Sequence, residues 1–153
     1  EVVSLADVVR LSLRLVGGPL KRSARLELDI EGAPSVKGSS TQLSQIVLNL
    51  LVNAFQAVAD QAPNRRIVSA RIRADAEFAH LEIADAGPGV AESDAERIFH
   101  PFFTTKPGVG SGLGLAISRR IAEELGGRLT VERDDALGGA RFRLSLALGA
   151  ARR

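Results

Sequence analysis

The sequence predicts an α+β fold, a two-layer α/β sandwich. In it one mixed, mostly antiparallel sheet of five strands is covered on a single face by three main helices. Three observations carry this prediction. Residues 41–60 place Leu43, Ile46, Val47, Leu50, Leu51, Ala54 and Val58 at helical spacing, a broad apolar stripe along one side. Val68, Ala70 and Ile72, then Leu81 and Ile83, alternate with polar residues around a short polar turn near residues 74–77, the pattern of an antiparallel hairpin. Residues 113–125 then repeat the helical period with Leu113, Ile117, Ile121 and Leu125 on one face, stop at Gly126-Gly127, and give way to two further alternating runs.

The remaining elements follow in chain order. Ser4 is placed to cap a first helix carrying Leu5, Val8, Val9, Leu15 and Val16, which Gly17-Gly18-Pro19 breaks. Leu26, Leu28 and Ile30 alternate with Glu27, Asp29 and Glu31, predicting a strand with one buried face. Ser39, Ser40 or Thr41 is the expected cap of the long helix, and Ala62-Pro63-Asn64 ends it. Residues 92–99 read as one short helix after Gly89. Leu129 and Val131 mark a strand, residues 134–139 a turn, and Phe142, Leu144, Leu146 and Leu148 a final strand.

Composition narrows the function. At 153 residues, with 45% hydrophobic and 25% charged residues, the chain has ordinary globular make-up and is long enough for one substantial core. The absence of cysteine excludes disulfides and thiolate metal sites. No apolar run approaches the roughly 20 residues that span a bilayer, so an aqueous, cytoplasmic location with no direct membrane contact is expected. Net charge is +2, the arginines are scattered, and the six aromatics are all Phe, so no base-stacking platform for nucleic acid is visible.

The second face of the long helix is unusual. Gln42, Gln45, Asn49, Asn53 and Gln56 share it, where a solvated face normally holds Lys and Glu. Asn is a poor mid-helix residue because its side chain competes with the backbone. Two of them one turn apart suit either of two tasks: amide-oxygen ligation of Mg²⁺ beside phosphate, or hydrogen bonding to a neighbouring loop. Downstream, Asp85-Ala86-Gly87-Pro88-Gly89 puts a carboxylate at a strand end beside glycines, where a flat polar ligand can approach. Gly108 to Gly114 feeds a glycine-rich run into a helix start, aiming backbone N–H groups at an anion. Lys106 lies between these two stretches. Together they read as a nucleotide site with base pocket, phosphate cradle and lid.

These motifs resemble a known family. Asn49-x₃-Asn53, Asp85-x-Gly87-x-Gly89, Phe99-x₂-Pro101-Phe102 and Gly110-x-Gly112-x-Gly114 stand in the order and spacing of the catalytic, ATP-binding domain of sensor histidine kinases. That domain has the Bergerat-type fold shared with gyrase, MutL-type and chaperone ATPases. The resemblance implies one catalytic ATP-binding domain over residues 1–153, with its core at about 4–148, and a phosphoacceptor dimerisation domain that is absent. It implies ATP and Mg²⁺ as ligands, with Asn53 on the metal and Asn49 on phosphate or a metal-bound water. Asp85 would accept from the adenine amino group, flanked by Gly87 and Gly89. Ala54, Ile83, Val90, Ile98 and Leu115 would wall the ring. Gly110, Ser111, Gly112, Leu113 and Gly114 would offer N–H groups to the phosphates, and Lys106 would reach the terminal phosphates. The implied partners are the histidine-bearing dimerisation domain and a response regulator. The short lid and Pro-Phe-Phe-Thr-Thr-Lys are similar to the nitrogen-regulation and dicarboxylate-sensing subgroup. Phe99, Phe102 and Phe103 are expected to anchor the lid or a docking surface.

The sequence departs from the family pattern at Gln56, Ala57, Gly38-Ser39 and Ala140, which stand where relatives often carry Lys, an aromatic, Gly-Asp and Thr. Neither His80 nor His100 sits in a His-Glu or His-Asp signature, so the chain is expected not to phosphorylate itself alone.

Overall fold

The computed structural model describes residues 2–103 and 114–149. The chain opens with β1 (Val2–Ser4) and runs straight into α1 (Leu5–Leu15), whose N-cap is Ser4, accepting from the amide of Asp7 at 3.3 Å. Gly17-Gly18-Pro19 ends α1 but also starts a short second helix, α2 (Gly18–Arg22), because Pro is favoured in a first helical turn. The strands β2 (Arg25–Ile30) and β3 (Ser35–Lys37) follow, then α3 (Ser40–Val58). Ser39 is the N-cap of α3 and accepts from the Gln42 amide at 3.3 Å. The hairpin is β4 (Ile67–Ala74) and β5 (Phe78–Asp85), and the chain finishes with α4 (Gly114–Glu124), β6 (Arg128–Arg133) and β7 (Ala140–Ala147).

Five strands form the main sheet in the order β2-β4-β5-β7-β6, with β2 parallel to β4 and every other pair antiparallel. The predicted mixed, mostly antiparallel sheet and its helical layer are therefore present. A second, two-stranded sheet pairs β1 with β3. The inward positions of the three central strands (Val68, Ala70, Ile72; Ala79, Leu81, Ile83; Phe142, Leu144, Leu146) share one core with the buried residues of α1 and α3. The stripe predicted on α3 is the centre of that core, with Leu43, Ile46, Val47, Leu50, Leu51 and Val58 all at 0% exposure.

Three expectations change. β2 is an edge strand, so its apolar side is only half covered and Leu28 is exposed. Residues 92–99 do not form one helix but two single 3₁₀ turns, Glu92–Asp94 and Arg97–Phe99, with Ile98 and Phe99 buried in the second. The buried side of α4 is Ser118, Ile121 and Ala122, and Ile117 faces out.

The opposite sheet face is polar and organised around Glu82, a β5 residue only 5% exposed. Its carboxylate accepts from Arg143 at 2.6 and 2.9 Å and from Arg73 at 3.0 Å. Burial alone would raise its pKa, but the Arg143 hydrogen bond and the charges of Arg143 and Arg73 outweigh it and hold Glu82 below the ordinary glutamate value. The stability this group contributes is complete above that ordinary value and is lost as pH falls through the lower folded-state value. Glu82→Gln should therefore be less stable than the parent at neutral pH and should lose less on acidification. Urea midpoints measured at about pH 7 and about pH 4 check this, and an unchanged gap between parent and variant would contradict it. His80 also lies on this face, between Asp75 (2.9 Å) and Ser145 (2.8 Å).

Candidate nucleotide site

Asp85 ends β5 and is 1% exposed. A carboxylate that deep requires hydrogen bonds. Its Oδ1 accepts from the Gly87 amide at 2.9 Å and from the Ala140 amide, across the sheet, at 3.3 Å. Gly87 threads between this carboxylate and α3, where a Cβ would stand 2.8 Å from the Ala57 carbonyl oxygen and 2.9 Å from Asp85 Oδ1. Its glycine is thus required for packing as well as for ligand approach. Gly89 turns the loop at φ +81°, a left-handed conformation that glycine adopts without cost.

The turn between β6 and β7 buttresses the same carboxylate. Asp134 closes it, donating its amide to the Gly139 carbonyl at 2.8 Å and accepting at its own carbonyl from Gly138 N–H at 2.7 Å. Its Oδ2 accepts from the Leu137 amide at 2.7 Å. Gly139 then lies so close to Asp85 that an added Cβ would collide with the Asp85 carbonyl and Oδ1. Arg65 straps the two loops together, donating Nη2 to the Ala86 carbonyl at 3.2 Å and the Leu137 carbonyl at 3.4 Å, while Gln61 Nε2 also donates to Ala86 at 3.2 Å. Sequence reasoning missed these supports. The Gly138-Gly139 pair was a visible sign of a close approach, whereas nothing in the sequence singles out Arg65.

On α3, Asn49 and Asn53 are half-buried and one turn apart, and Ala57 continues the row. Asn49 Nδ2 donates to the Gly114 carbonyl at 3.3 Å and to Ser118 Oγ at 3.1 Å, so the first turn of α4 abuts the Asn49 end of the row. The Asp85–Gly89 loop abuts the Ala57 end through Gly87. Eight helical residues separate Asn49 from Ala57, or about 12 Å of rise. The row therefore joins an anion-attracting helix start to a buried carboxylate over a length suited to an extended nucleoside triphosphate.

Of the two tasks weighed for the amides, Asn49 performs the packing one with its nitrogen. Among the described residues, the Asn53 side chain makes no hydrogen bond, which leaves its oxygen available to a hard cation. Among the described residues there is also no group of three or more His, Cys, Asp or Glu able to hold a metal. A cation here would be held by amide oxygen and by the phosphates themselves, a donor set that suits Mg²⁺.

The apolar wall candidates fall near this row in different degrees. Ala54, Ile83 and Ile98 are buried in the core, and Val90 and Leu115 pack against it half-covered. Phe99 is a core residue, edge-on to Phe142 at 6.2 Å and covered by the Arg119 guanidinium at 4.5 Å. Arg119 also bonds Glu96 at 2.9 Å, fastening α4 to the 3₁₀ segment. Phe103 lies under Arg97 at 5.0 Å, and Phe102 is 72% exposed at φ +67°. Lys106, Gly110, Ser111, Gly112 and Leu113 lie outside the described residues.

Residues 38–150 match the sequence profile of the family described as histidine kinase-, DNA gyrase B-, and HSP90-like ATPase. The chain is 37% identical to the sensor protein ChvG of Rhizobium meliloti over 95% of its own length and 27% of the relative's. It is 39% identical to the C4-dicarboxylate transport sensor protein DctB of Pseudomonas aeruginosa, over 97% of its length and 24% of the relative's. It thus spans about a quarter of these relatives. The mycobacterial sensor histidine kinase MprB superposes with a TM-score of 0.85 at 31% identity, covering 99% of both chains.

Proposed function

The chain belongs to the family of histidine kinase-, DNA gyrase B- and HSP90-like ATPases, and from that premise we propose that it is the ATP-binding catalytic domain of a sensor histidine kinase. It would bind ATP·Mg²⁺ and donate the γ-phosphoryl group to a histidine on an adjoining dimerisation domain. The observation that carries this reading is the row Asn49–Asn53–Ala57, bounded at one end by the start of α4 and at the other by the Asp85 loop. Likeness to the named sensor proteins and to MprB supports the histidine-kinase branch of the family.

Each residue has a task in such transfer, where positioning and electrostatics supply most of the rate. Asp85 accepts from the base and fixes the register of the nucleotide. Gly114 and the preceding glycines would offer N–H groups to the phosphates, and Lys106 would balance charge on the terminal ones. Asn53 would hold Mg²⁺ through its amide oxygen, and Asn49 would contact phosphate or a metal-bound water. When bound, Mg²⁺ would neutralise phosphate charge during transfer. α3 carries no Asp or Glu, so this helix has no group to activate water, which favours transfer over hydrolysis. The acceptor histidine would lie on that adjoining domain, and a response regulator would be the downstream partner. Among the described residues no helix is long and apolar enough to cross a membrane.

Calorimetry tests the proposal. ATP should bind with an affinity that depends on Mg²⁺, and Asn53→Ala should weaken Mg·ATP binding about tenfold, the effect of losing roughly 1.4 kcal/mol, with a smaller loss when EDTA is present. No measurable ATP binding by the parent chain would overturn the assignment. Labelled ATP should leave no acid-labile phosphohistidine on the chain by itself.

A further inference from the structure

Ser118 is a polar residue at 0% exposure in the middle of α4, on the side facing α3. Serine there is a weaker helix former than alanine, and a buried hydroxyl without a partner is costly. Its hydroxyl lies 3.1 Å from Asn49 Nδ2, and the same nitrogen lies 3.3 Å from the Gly114 carbonyl. A backbone carbonyl can only accept, so the group that faces it must be the amide NH₂. That fixes the flip of the Asn49 carboxamide and turns Oδ1 away from the Gly114 carbonyl. Gly114 and Ser118 stand one turn apart on α4, so the two acceptors match the two hydrogens of one NH₂ group.

We propose that Ser118 is a positioning residue for the phosphate end of the site: it locks the Asn49 carboxamide with its oxygen presented to the ligand and ties the first turn of α4 to α3. The inference rests on the reading of this row as a Mg·ATP site. Without the hydroxyl, the carboxamide keeps a single anchor at Gly114 and can rotate, and the helix start loses one of its two hydrogen bonds to α3. A role in mere packing would leave Asn49 indifferent to the change.

The experiment is a double-mutant cycle on the 153-residue chain, with the dissociation constant of Mg·ATP measured by calorimetry. Ser118→Ala, which keeps helix propensity, should weaken Mg·ATP binding about five- to tenfold. In an Asn49→Ala background the same change should cost less than about twofold, because the group it positions is gone. Unchanged affinity in Ser118→Ala, or an equal loss in both backgrounds, would overturn the proposal. The unmodified chain supplies a second measurement that needs neither nucleotide nor variant. The Asn49 side-chain NH₂ protons should exchange with solvent far more slowly than those of the exposed Gln45, and equally rapid exchange would overturn the proposal. A parent chain that bound no Mg·ATP would remove the site reading instead, and this NMR signature would still decide whether Ser118 and Gly114 hold Asn49.

Discussion

Gly139→Ala is expected to reduce ATP affinity by on the order of a hundredfold and to destabilise the fold by about 1–3 kcal/mol. The added methyl would collide with the Asp85 carbonyl and carboxylate, and would stand 2.7 Å from the Gly87 amide nitrogen. Two of these three neighbours are backbone atoms, which cannot swing aside as a flexible side chain does. Retreat of the turn is resisted by the Asp134 hydrogen bonds and by Arg65, so strain falls on the Asp85 loop. Its carboxylate would lose the Ala140 amide at 3.3 Å and with it the orientation needed to meet a base. Gly17→Ala is the control, since a Cβ there meets nothing within 4 Å. Thermal unfolding and nucleotide titration of both variants check the contrast, and a Gly139→Ala chain that bound ATP like the parent would show that the turn does not hold Asp85.

How much of this was legible beforehand differs by the range of the interaction involved. The stripe on α3, the hairpin, and the capping roles of Ser4 and Ser39 are local, and periodicity or cap chemistry exposes them. The β1–β3 pair carries no local signal, because three residues such as Val2-Val3-Ser4 show no period until the distant strand Ser35–Lys37 completes it. Gly17-Gly18-Pro19 was expected only to break a helix, although Pro in a first turn also begins one. Helical spacing puts Ile117 on the apolar face of α4, yet it is Ser118 that faces α3, where Asn49 supplies its partner.

The site divides along the same line. Asn49, Asn53, Asp85, Gly87 and Gly89 are recognisable by type and spacing, since in the proposed site each has a role tied to its residue type. What holds them is long-range and often backbone: the Ala140 amide lies 55 residues from Asp85, and the Arg65 strap reaches the Leu137 carbonyl 72 residues away. Sequence shows such contacts only where they exclude a side chain, as at Gly139. Arg65 excludes nothing, so its role became visible only with the fold.

Asp85→Asn should weaken adenine nucleotide binding by about 1–3 kcal/mol, the scale of a charge-assisted hydrogen bond, while leaving the fold intact. The substitution is close to isosteric. An asparagine Oδ1 can still accept from the Gly87 amide at 2.9 Å and the Ala140 amide at 3.3 Å, so these two contacts are retained. The other position becomes an NH₂ donor, which meets the adenine amino group donor to donor. Discrimination should change together with affinity. The parent should prefer ATP to GTP, because guanine offers a carbonyl where adenine offers an amine. Asp85→Asn should narrow or reverse that preference, since an NH₂ group can donate to the guanine carbonyl. Parallel titrations with ATP and GTP measure both effects. If the parent bound the two nucleotides equally, Asp85 would not be reading the base. If the variant lost affinity for both in equal proportion, the carboxylate would be supporting the loop without reading the base.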